Sequence, residues 1–153
     1  MSDLQIREFS SARAYSEASS MSVSCSGHPL YVLRPRLAAD GIVTARDLRR
    51  LPSGQRVRIA GILIIVHTPP TRSGKRVMFI TMEDETGLVD LVMFPKVQTH
   101  AARPILTSEM VTVQGVLQRE GKGGLSISIT VEKVIPKWTG LLADLLKPDR
   151  PDK

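Results

Sequence analysis

Two apolar segments joined by an acidic turn dominate the middle of the chain. Residues 77–82 alternate between two faces, one of which carries Met78, Ile80 and Met82. The letters EDETG follow, and residues 88–94 form a second apolar run. Alternation with a period of two is typical of half-buried β-strands, and a short turn that contains glycine favours a hairpin. The pattern therefore predicts two paired strands with distinct inner and outer faces.

Three further segments have strand-like patterns. The first, 56–67, is nearly all apolar after its fourth position, whereas 110–118 and 125–134 alternate between apolar and polar residues. Gly61 lies inside the first segment, where a glycine suggests a bend or bulge in a strand shared by two halves of a small barrel. A short helix that begins with proline is predicted over about 95–102, between the third and fourth strands.

Two short helices are predicted ahead of the strands. Apolar residues between Tyr31 and Ala38 fall near helical spacing, although Pro35 interrupts them, and we expect a short helix that closes at Asp40 and Gly41. Thr44 is the predicted N-cap of a second helix over 45–51. Asp47 lies at the third helical position, which is an acidic variant of the capping box.

Shifts in composition divide the chain into four parts. The N-terminal part is serine-rich with little apolar periodicity, and we expect it to be disordered. The C-terminal part carries Trp138 and a leucine-rich, helix-like segment, which we expect to fold back onto the strands; the alternative is docking on a partner. The four predicted parts are the tail 1–27, the helical lead-in 28–54, the strand domain 55–135 and the C-terminal tail 136–153.

Five strands with a helix between the third and fourth follow the element order of the OB-fold, a five-stranded Greek-key barrel. We therefore expect an all-β protein of this class, preceded by two short helices. The faces of strands two and three, and the loops joining strands one to two and four to five, bind oligonucleotides in this fold. Both loops are basic here. The predicted nucleic-acid-binding residues are Arg56, Arg58, Arg72, Lys75, Arg76, Phe79, Phe94, Arg119 and Lys122.

These candidates also have simpler interpretations. The cations of the first loop either neutralise phosphates or only keep a solvated loop soluble. Phe79 and Phe94 are expected to point outward, opposite to Met78, where exposed aromatic rings stack on bases. In the alternative interpretation, one or both rings pack beneath the adjoining helix.

Charge supports a polyanionic partner. The net charge is +6 and the isoelectric point is about 9.9. The excess comes from residues 28–135 rather than from the two termini. A modest excess of Lys and Arg favours nucleic acid but does not by itself make a site.

Several functional classes are disfavoured. The single Cys25 rules out an internal disulfide or a thiolate zinc site, and the start of the chain lacks the pattern of a signal peptide. The longest apolar run, 59–66, is too short to span a bilayer. We therefore expect a cytoplasmic protein with no membrane partner, no small-molecule substrate and no cofactor.

No catalytic motif emerges from the sequence. Glu83, Asp84, Glu85 and Asp90 could form a metal cluster, but we expect a solvated hairpin turn, because the ligand spacing of a calcium loop is absent. The histidines are scattered and no serine triad is evident. His28 is expected to cap or pack a helix. These observations favour a binding protein over an enzyme.

Several separate motifs resemble one family. The segments 26–30 (SGHPL), 33–37 (LRPRL), 74–87 (GKRVMFITMEDETG), 92–95 (VMFP) and 118–121 (QREG) resemble the OB domain near the C-terminus of bacterial DnaE-type polymerases. These enzymes are the alpha subunit of DNA polymerase III and its error-prone paralogue. The chain is most similar to the error-prone branch.

The resemblance covers roughly residues 26–135, and the catalytic domains of the family would not fit in the residues before Ser26, so we expect either a separate short protein or a fragment of a longer one. It therefore implies a non-catalytic module that binds single-stranded DNA in replication or repair. A protein-interaction module that docks in a replication or repair assembly is the alternative. A tRNA-binding barrel is a weaker one, and the element over 26–30 argues against it.

Overall fold

A computed structural model describes residues 27–70, 72–121, 123 and 126–147. Residues 1–26 of the predicted N-terminal tail, Lys122 and the last residues of the chain therefore lie outside the described residues. In chain order the elements are α1 (Pro29–Ala39), α2 (Ala45–Leu48), β1 (Arg56–His67), β2 (Met78–Asp84), β3 (Gly87–Met93), α3 (Pro95–Leu106), β4 (Met110–Glu120), β5 (Ser126–Val134), a 3-10 turn (Pro136–Trp138) and α4 (Leu142–Leu145).

The five strands close into a barrel in the order β1-β2-β3-β5-β4. All neighbouring pairs are antiparallel except β3 and β5, which run parallel. The first half of β1 pairs with β4, and its second half, from Ile62 to His67, pairs with β2. This shared strand closes the barrel, and the predicted OB-fold with its helix between the third and fourth strands is confirmed.

Of the bend or bulge predicted at Gly61, the bulge is wrong in its position. The register between β1 and β2 shifts between Leu63 and Ile65, two residues further along the strand. Gly61 instead lies against Met82, and a Cβ built on it would be 2.9 Å from Met82 Cγ. The glycine therefore makes room for a core methionine rather than for a bulge.

The predicted end of the first helix is confirmed, with Asp40 as the C-cap of α1, whereas α2 and α3 differ from the prediction in length. α1 continues through Pro35, because Leu30, Leu33 and Leu37 are all fully buried and packing outweighs the one lost hydrogen bond. α2 ends at Leu48, although the predicted capping box of Thr44 and Asp47 is present. α3 extends to Leu106 and contains Pro104, beyond the predicted end at residue 102.

The residues that the structure describes form two apolar cores. The larger one fills the barrel and includes Ile59, Leu91 and Leu117. The second lies outside the barrel, where the leucines of α1 meet Ala60, Met110, Trp138 and Leu145, among others. The prediction that the C-terminal segment folds back onto the barrel is confirmed by this second core.

Trp138 anchors the C-terminal segment to α1. Its ring is 2% exposed, and its Nε1 donates a hydrogen bond of 2.6 Å to Asp40 Oδ2. The Lys137 ammonium lies 3.0 Å from the same carboxylate oxygen, and the Arg36 guanidinium stands over the ring at 5.7 Å. None of the helices in the described residues is long and apolar enough to cross a membrane.

Candidate nucleic-acid interface

One row of side chains crosses four strands on the outside of the barrel. His67 of β1 pairs with Phe79 of β2, Phe79 pairs with Val92 of β3, and Val92 pairs with Thr130 of β5. Met78 and Ile80, the chain neighbours of Phe79, are buried, whereas Phe79 is 43% exposed. The predicted outward orientation of Phe79 is therefore confirmed.

A second aromatic ring lies at the end of β3. Phe94 follows the last residue of the strand and occupies the N-cap position of α3. It is 48% exposed, so the alternative in which the ring packs beneath the helix is wrong. Residues of alternate parity share a face on a strand, which places Phe94 on the outer face with Val92 and Asp90.

The basic loop approaches this aromatic face. Arg72, Lys75 and Arg76 are all exposed and lie just before β2. Gln98 of α3 donates hydrogen bonds to the Arg76 carbonyl at 2.6 Å and to the Met93 carbonyl at 2.8 Å. One side chain thus fixes the end of the loop next to the end of β3.

A groove of about 480 Å³ lies on the barrel next to the outer face of β3. Its walls come from α2, the first half of β3, the first half of β5, the end of β4 and Gly123. They include Leu88, Asp90, Ile127 and two cationic residues, Arg49 and the predicted site residue Arg119. Asp90 joins the groove to the aromatic row, because it lies two residues from Val92 on the same strand face.

Arg56 and Arg58 lie away from the aromatic row. They occupy the start of β1, where the strand pairs with β4, whereas His67 at its end pairs with Phe79. Arg56 forms an exposed bidentate ion pair with Glu132, at 2.8 and 3.0 Å, and Arg58 Nε donates to Gln114. The hydrogen bonds from Arg56 hold the pKa of Glu132 below its ordinary value. That Arg56 and Arg58 bind nucleic acid stays a prediction.

Arg119 has a structural task that sequence reasoning missed. Its guanidinium donates to the carbonyl oxygens of Leu48, Arg49 and Leu51, at and just beyond the end of α2. Cations at this position stabilise a helix because its last carbonyl groups lack partners within the helix. The side chain therefore ties the end of β4 to the lead-in. Lys122, its predicted companion, lies outside the described residues.

Comparisons with known proteins agree with this geometry. A family model for the OB-fold nucleic acid binding domain of the tRNA anti-codon type matches residues 41–136, more than half of the chain. This protein belongs to that OB-fold family. The description of the family identifies residues 41–136 as a nucleic-acid-binding domain.

Curated relatives confirm the resemblance to error-prone DNA polymerases. The error-prone DNA polymerase of Symbiobacterium thermophilum is 38% identical over 107 residues, which cover 70% of this chain and 10% of the relative. The one from Bradyrhizobium sp. is 32% identical over 130 residues, 85% of this chain and 11% of the relative. The chain thus spans about a tenth of the length of these relatives.

A solved structure of RecG bound to a three-way DNA junction is similar to this OB-fold domain with a TM-score of 0.48 and 23% identity, covering 62% of this chain and 12% of that chain.

The acidic turn of the OB-fold domain is buried, so the prediction of a solvated hairpin turn is wrong. Glu83, Asp84 and Glu85 are 8%, 0% and 6% exposed. Asp84 Oδ1 accepts three hydrogen bonds, from the Thr86 backbone, the Thr86 hydroxyl and the Gly87 backbone, and its Oδ2 accepts one from Ala45 N. Burial raises the pKa of Asp84 even though these hydrogen bonds oppose the shift.

Arg34 supplies the positive charge that the buried turn needs. Its Nε and one terminal nitrogen donate to the two carboxylate oxygens of Glu85 at 2.6 and 2.8 Å, and its other terminal nitrogen donates to the Ile42 carbonyl. Burial alone would lower the pKa of Arg34, but the hydrogen bonds and charge of Glu85 and the charge of Asp84 outweigh it and raise the pKa.

The carboxylates of the turn therefore link the lead-in to the OB-fold barrel through hydrogen bonds. His28 is the N-cap of α1, as expected, and its Nδ1 accepts a hydrogen bond from Leu30 N at 3.1 Å. Among the described residues of this domain, no three His, Cys, Asp or Glu side chains are placed to hold a metal ion. The local sequence carried no signal for this network, because Arg34 and Glu85 are 51 residues apart.

Proposed function

We propose that this OB-fold domain binds single-stranded DNA, with a role in DNA replication or repair. The observation that carries the proposal is the exposed ring of Phe79, which belongs to the row of side chains across four strands. Phe79 lies on β2, the strand that follows the basic loop. Single-stranded nucleic acids bind to this combination of stacking platform and cationic backbone contacts. The preference for DNA and the biological role rest on the error-prone DNA polymerases among the relatives.

The two parts of the interface would contribute differently. Stacking of one base on Phe79 is worth about 1–3 kcal/mol and tolerates any sequence, because every base has a π-face. Each phosphate neutralised by Arg72, Lys75 or Arg76 releases counterions and contributes about 0.7 to the salt slope on a single strand. Binding should therefore depend on salt and only weakly on sequence.

The composition of the outer face favours nucleic acid over a protein partner. Phe79 and Phe94 lie beside Val92, and the rest of this face carries polar side chains such as His67, Thr130 and Asp90, with the basic loop next to it. A contiguous apolar patch is the usual mark of a protein-docking surface. An aromatic ring flanked by cations and hydrogen-bonding groups matches a stacked base and its phosphate instead.

The first test is a titration of labelled oligo-dT of about 16 nucleotides, near the upper site size of one OB-fold. Fluorescence anisotropy at several salt concentrations should show tighter binding to the single strand than to a matched duplex or RNA. Three phosphate contacts predict a slope of log K against log salt of about −2. No binding at low salt would overturn the proposal.

Two variants separate the two contributions. The double substitution Lys75→Ala with Arg76→Ala should flatten the salt slope by about 1.4, because two phosphate contacts are lost. Phe79→Ala should weaken binding by about 1–3 kcal/mol and leave the slope unchanged.

The matched control is Lys133→Ala with Lys147→Ala, which removes two exposed cations elsewhere on the protein. It should leave the slope close to that of the wild type. An equal change in the control and the loop variant would dismiss the loop as the backbone contact.

A further inference from the structure

Asp90 is a carboxylate on a surface that is otherwise suited to polyanions. It lies on β3 opposite Thr81, one step along the outer face from the row that contains Phe79, and its side chain is exposed. A carboxylate beside a bound strand repels phosphates, because like charges close together cost free energy. Its useful contact on such a surface is with the polar edge of a base.

The carboxylate is oriented before any ligand binds. Thr81 Oγ1 donates a hydrogen bond of 3.1 Å to Asp90 Oδ1. An ionised carboxylate has about four lone-pair sites. The bond from Thr81 therefore fixes the group while acceptor sites remain on both oxygens. Asp90 can still accept two parallel hydrogen bonds from a ligand.

The groove beside Asp90 can hold one base. Its volume of about 480 Å³ falls in the range of small-molecule sites. Leu88, which is 38% exposed, and Ile127 give the groove apolar lining suited to the faces of a ring, and the cationic residues Arg49 and Arg119 also line it. Two residues along a strand span about 7 Å. An extended oligonucleotide that stacks one base on Phe79 can thus place a neighbouring base near Asp90.

The chemistry of Asp90 selects among the bases. A carboxylate only accepts hydrogen bonds, so it pairs best with two adjacent donors. Guanine has such a pair on its Watson–Crick edge, the N1–H and the N2 amino group. Adenine and cytosine place an acceptor beside their amino group, and thymine has one N–H between two carbonyl groups. Single-stranded bases expose this edge to a protein.

We propose that Asp90 and the adjoining groove form a guanine-selective subsite within the single-strand interface. The inference rests on the proposed function, because the subsite is occupied only when a strand lies across the barrel. It adds a base preference to binding that stacking and phosphate contacts leave nearly independent of sequence.

The test compares oligonucleotides of about 12 thymidines that differ at one central position, a length within the site size of one OB-fold. The central base is thymine, 7-deazaguanine, hypoxanthine, adenine or cytosine. 7-Deazaguanine keeps both donors and avoids quadruplexes, and hypoxanthine lacks only the amino group. We expect 7-deazaguanine to bind about tenfold more tightly than thymine, with hypoxanthine in between, as for a bidentate contact.

Asp90→Asn is the decisive variant. The asparagine keeps an acceptor for Thr81 and has nearly the same shape, but it places an amide donor where guanine also donates. The preference for 7-deazaguanine should fall below about twofold, whereas affinity for the all-thymidine strand should stay equal or rise because one negative charge is gone. Asp144→Asn, an equal change of charge at an exposed position on α4, should keep the wild-type preference.

The outcomes separate the two proposals. If the wild-type protein does not bind the all-thymidine oligonucleotide, the proposed function is overturned and the subsite with it. Normal binding to that strand with no gain from 7-deazaguanine would overturn the subsite alone. A preference that survives in Asp90→Asn would also overturn it, because another group would then be reading the base.

Discussion

Arg34 illustrates how one side chain can join distant parts of this chain. Its guanidinium is bidentate on Glu85, lies 3.6 Å from Asp84 Oδ2 and donates to the Ile42 carbonyl. Side chains of both acids are almost inaccessible to solvent. Removing one partner of a buried ion pair leaves an uncompensated charge, which costs more than the pair itself contributes.

Replacement of Arg34 should strongly destabilise the fold. We expect Arg34→Met to lower the free energy of unfolding by about 3–5 kcal/mol, because two buried carboxylates lose their cation. The free energy of unfolding of Arg34→Lys should lie between those of the wild type and Arg34→Met, since lysine keeps the charge but lacks the planar guanidinium. Urea denaturation measures the unfolding free energy of both variants. An unchanged m-value would show that only the stability has changed. A lysine variant as stable as the wild type would show that the planar guanidinium is unimportant.

His28 responds to pH through its position as a helix cap. Burial lowers its pKa below the ordinary value, although the negative charges of Glu85 and Asp84 oppose the shift. Arg34 adds to the lowering, and Glu83 Oε1 lies 3.9 Å from the ring. Protonation would also remove the Nδ1 lone pair that accepts from Leu30 N.

The lowered pKa of His28 predicts loss of stability in mild acid. Because the folded state binds its proton less readily than the unfolded state, this residue makes the unfolding free energy fall as the pH drops below the unfolded pKa, about 6.5. The loss stops once the pH is below the lowered pKa of the folded state. Unfolding free energies at about pH 7.5 and 5.5 measure the effect.

The control for this prediction is His28→Asn. Asparagine is a good N-cap and does not titrate, so the variant should lose less stability than the wild type over the same interval. His67 and His100 are present in both proteins, and their contributions cancel in the comparison. An equal loss in both proteins would exclude His28 as the cause.

At the scale of elements, closure of the barrel depends on a close approach of β4 and β5. The register of this pair shifts between Gln114 and Gly115. A Cβ built on Gly115 would lie 2.3 Å from the Thr130 carbonyl oxygen and 2.7 Å from Ile129 Cγ2. The backbone of β5 therefore occupies the space that any side chain at Gly115 would need.

Gly115→Ala should accordingly be among the costly substitutions in the barrel. We expect a loss of about 1–3 kcal/mol, the usual cost of overpacking, because the obstructing atom belongs to the backbone. Gly61→Ala should cost less, since its Cβ would meet side-chain atoms of Met82 at 2.9–3.1 Å rather than backbone. Thermal unfolding of the two variants in parallel checks which one is destabilised more. If Gly115→Ala is more stable than Gly61→Ala, the close approach of β4 and β5 is contradicted.

At the scale of the whole molecule, the barrel and its flanking segments share one packed structure. The second core joins α1, the outside of β1 and β4, and the C-terminal segment through Leu33, Ala60, Met110, Trp138 and Leu145. The barrel that carries the candidate interface is therefore also packed, through β1 and β4, against α1 and the C-terminal segment. The lead-in and the tail are expected to unfold together with the strands.

The single tryptophan makes this testable. Trp138 fluorescence reports the tail, whereas far-UV circular dichroism is dominated by the strands and helices. In one cooperative unit the two denaturation curves coincide, as two-state unfolding requires. We expect coincident midpoints in urea. A fluorescence transition that clearly precedes the loss of secondary structure would show that the tail is an independent element.

The sequence alone determined the strands and their faces. Alternation is a local property, so it placed Phe79 outward and Met78 inward, and it placed the helix that begins at Pro95 between the third and fourth strands. The positions of the basic loop and of Phe94 followed from the same pattern. Strand order in an OB-fold then predicted where nucleic acid would lie.

Only the tertiary structure decided the roles of charged residues. Local sequence suggested a solvated acidic turn, but Glu85 is buried because Arg34 reaches it from another element. Arg119 appeared to be a loop cation, yet its guanidinium caps the end of α2. Electrostatic partners are chosen by proximity in space, and a pattern that repeats every two or four residues carries no information about contacts between segments far apart in the chain.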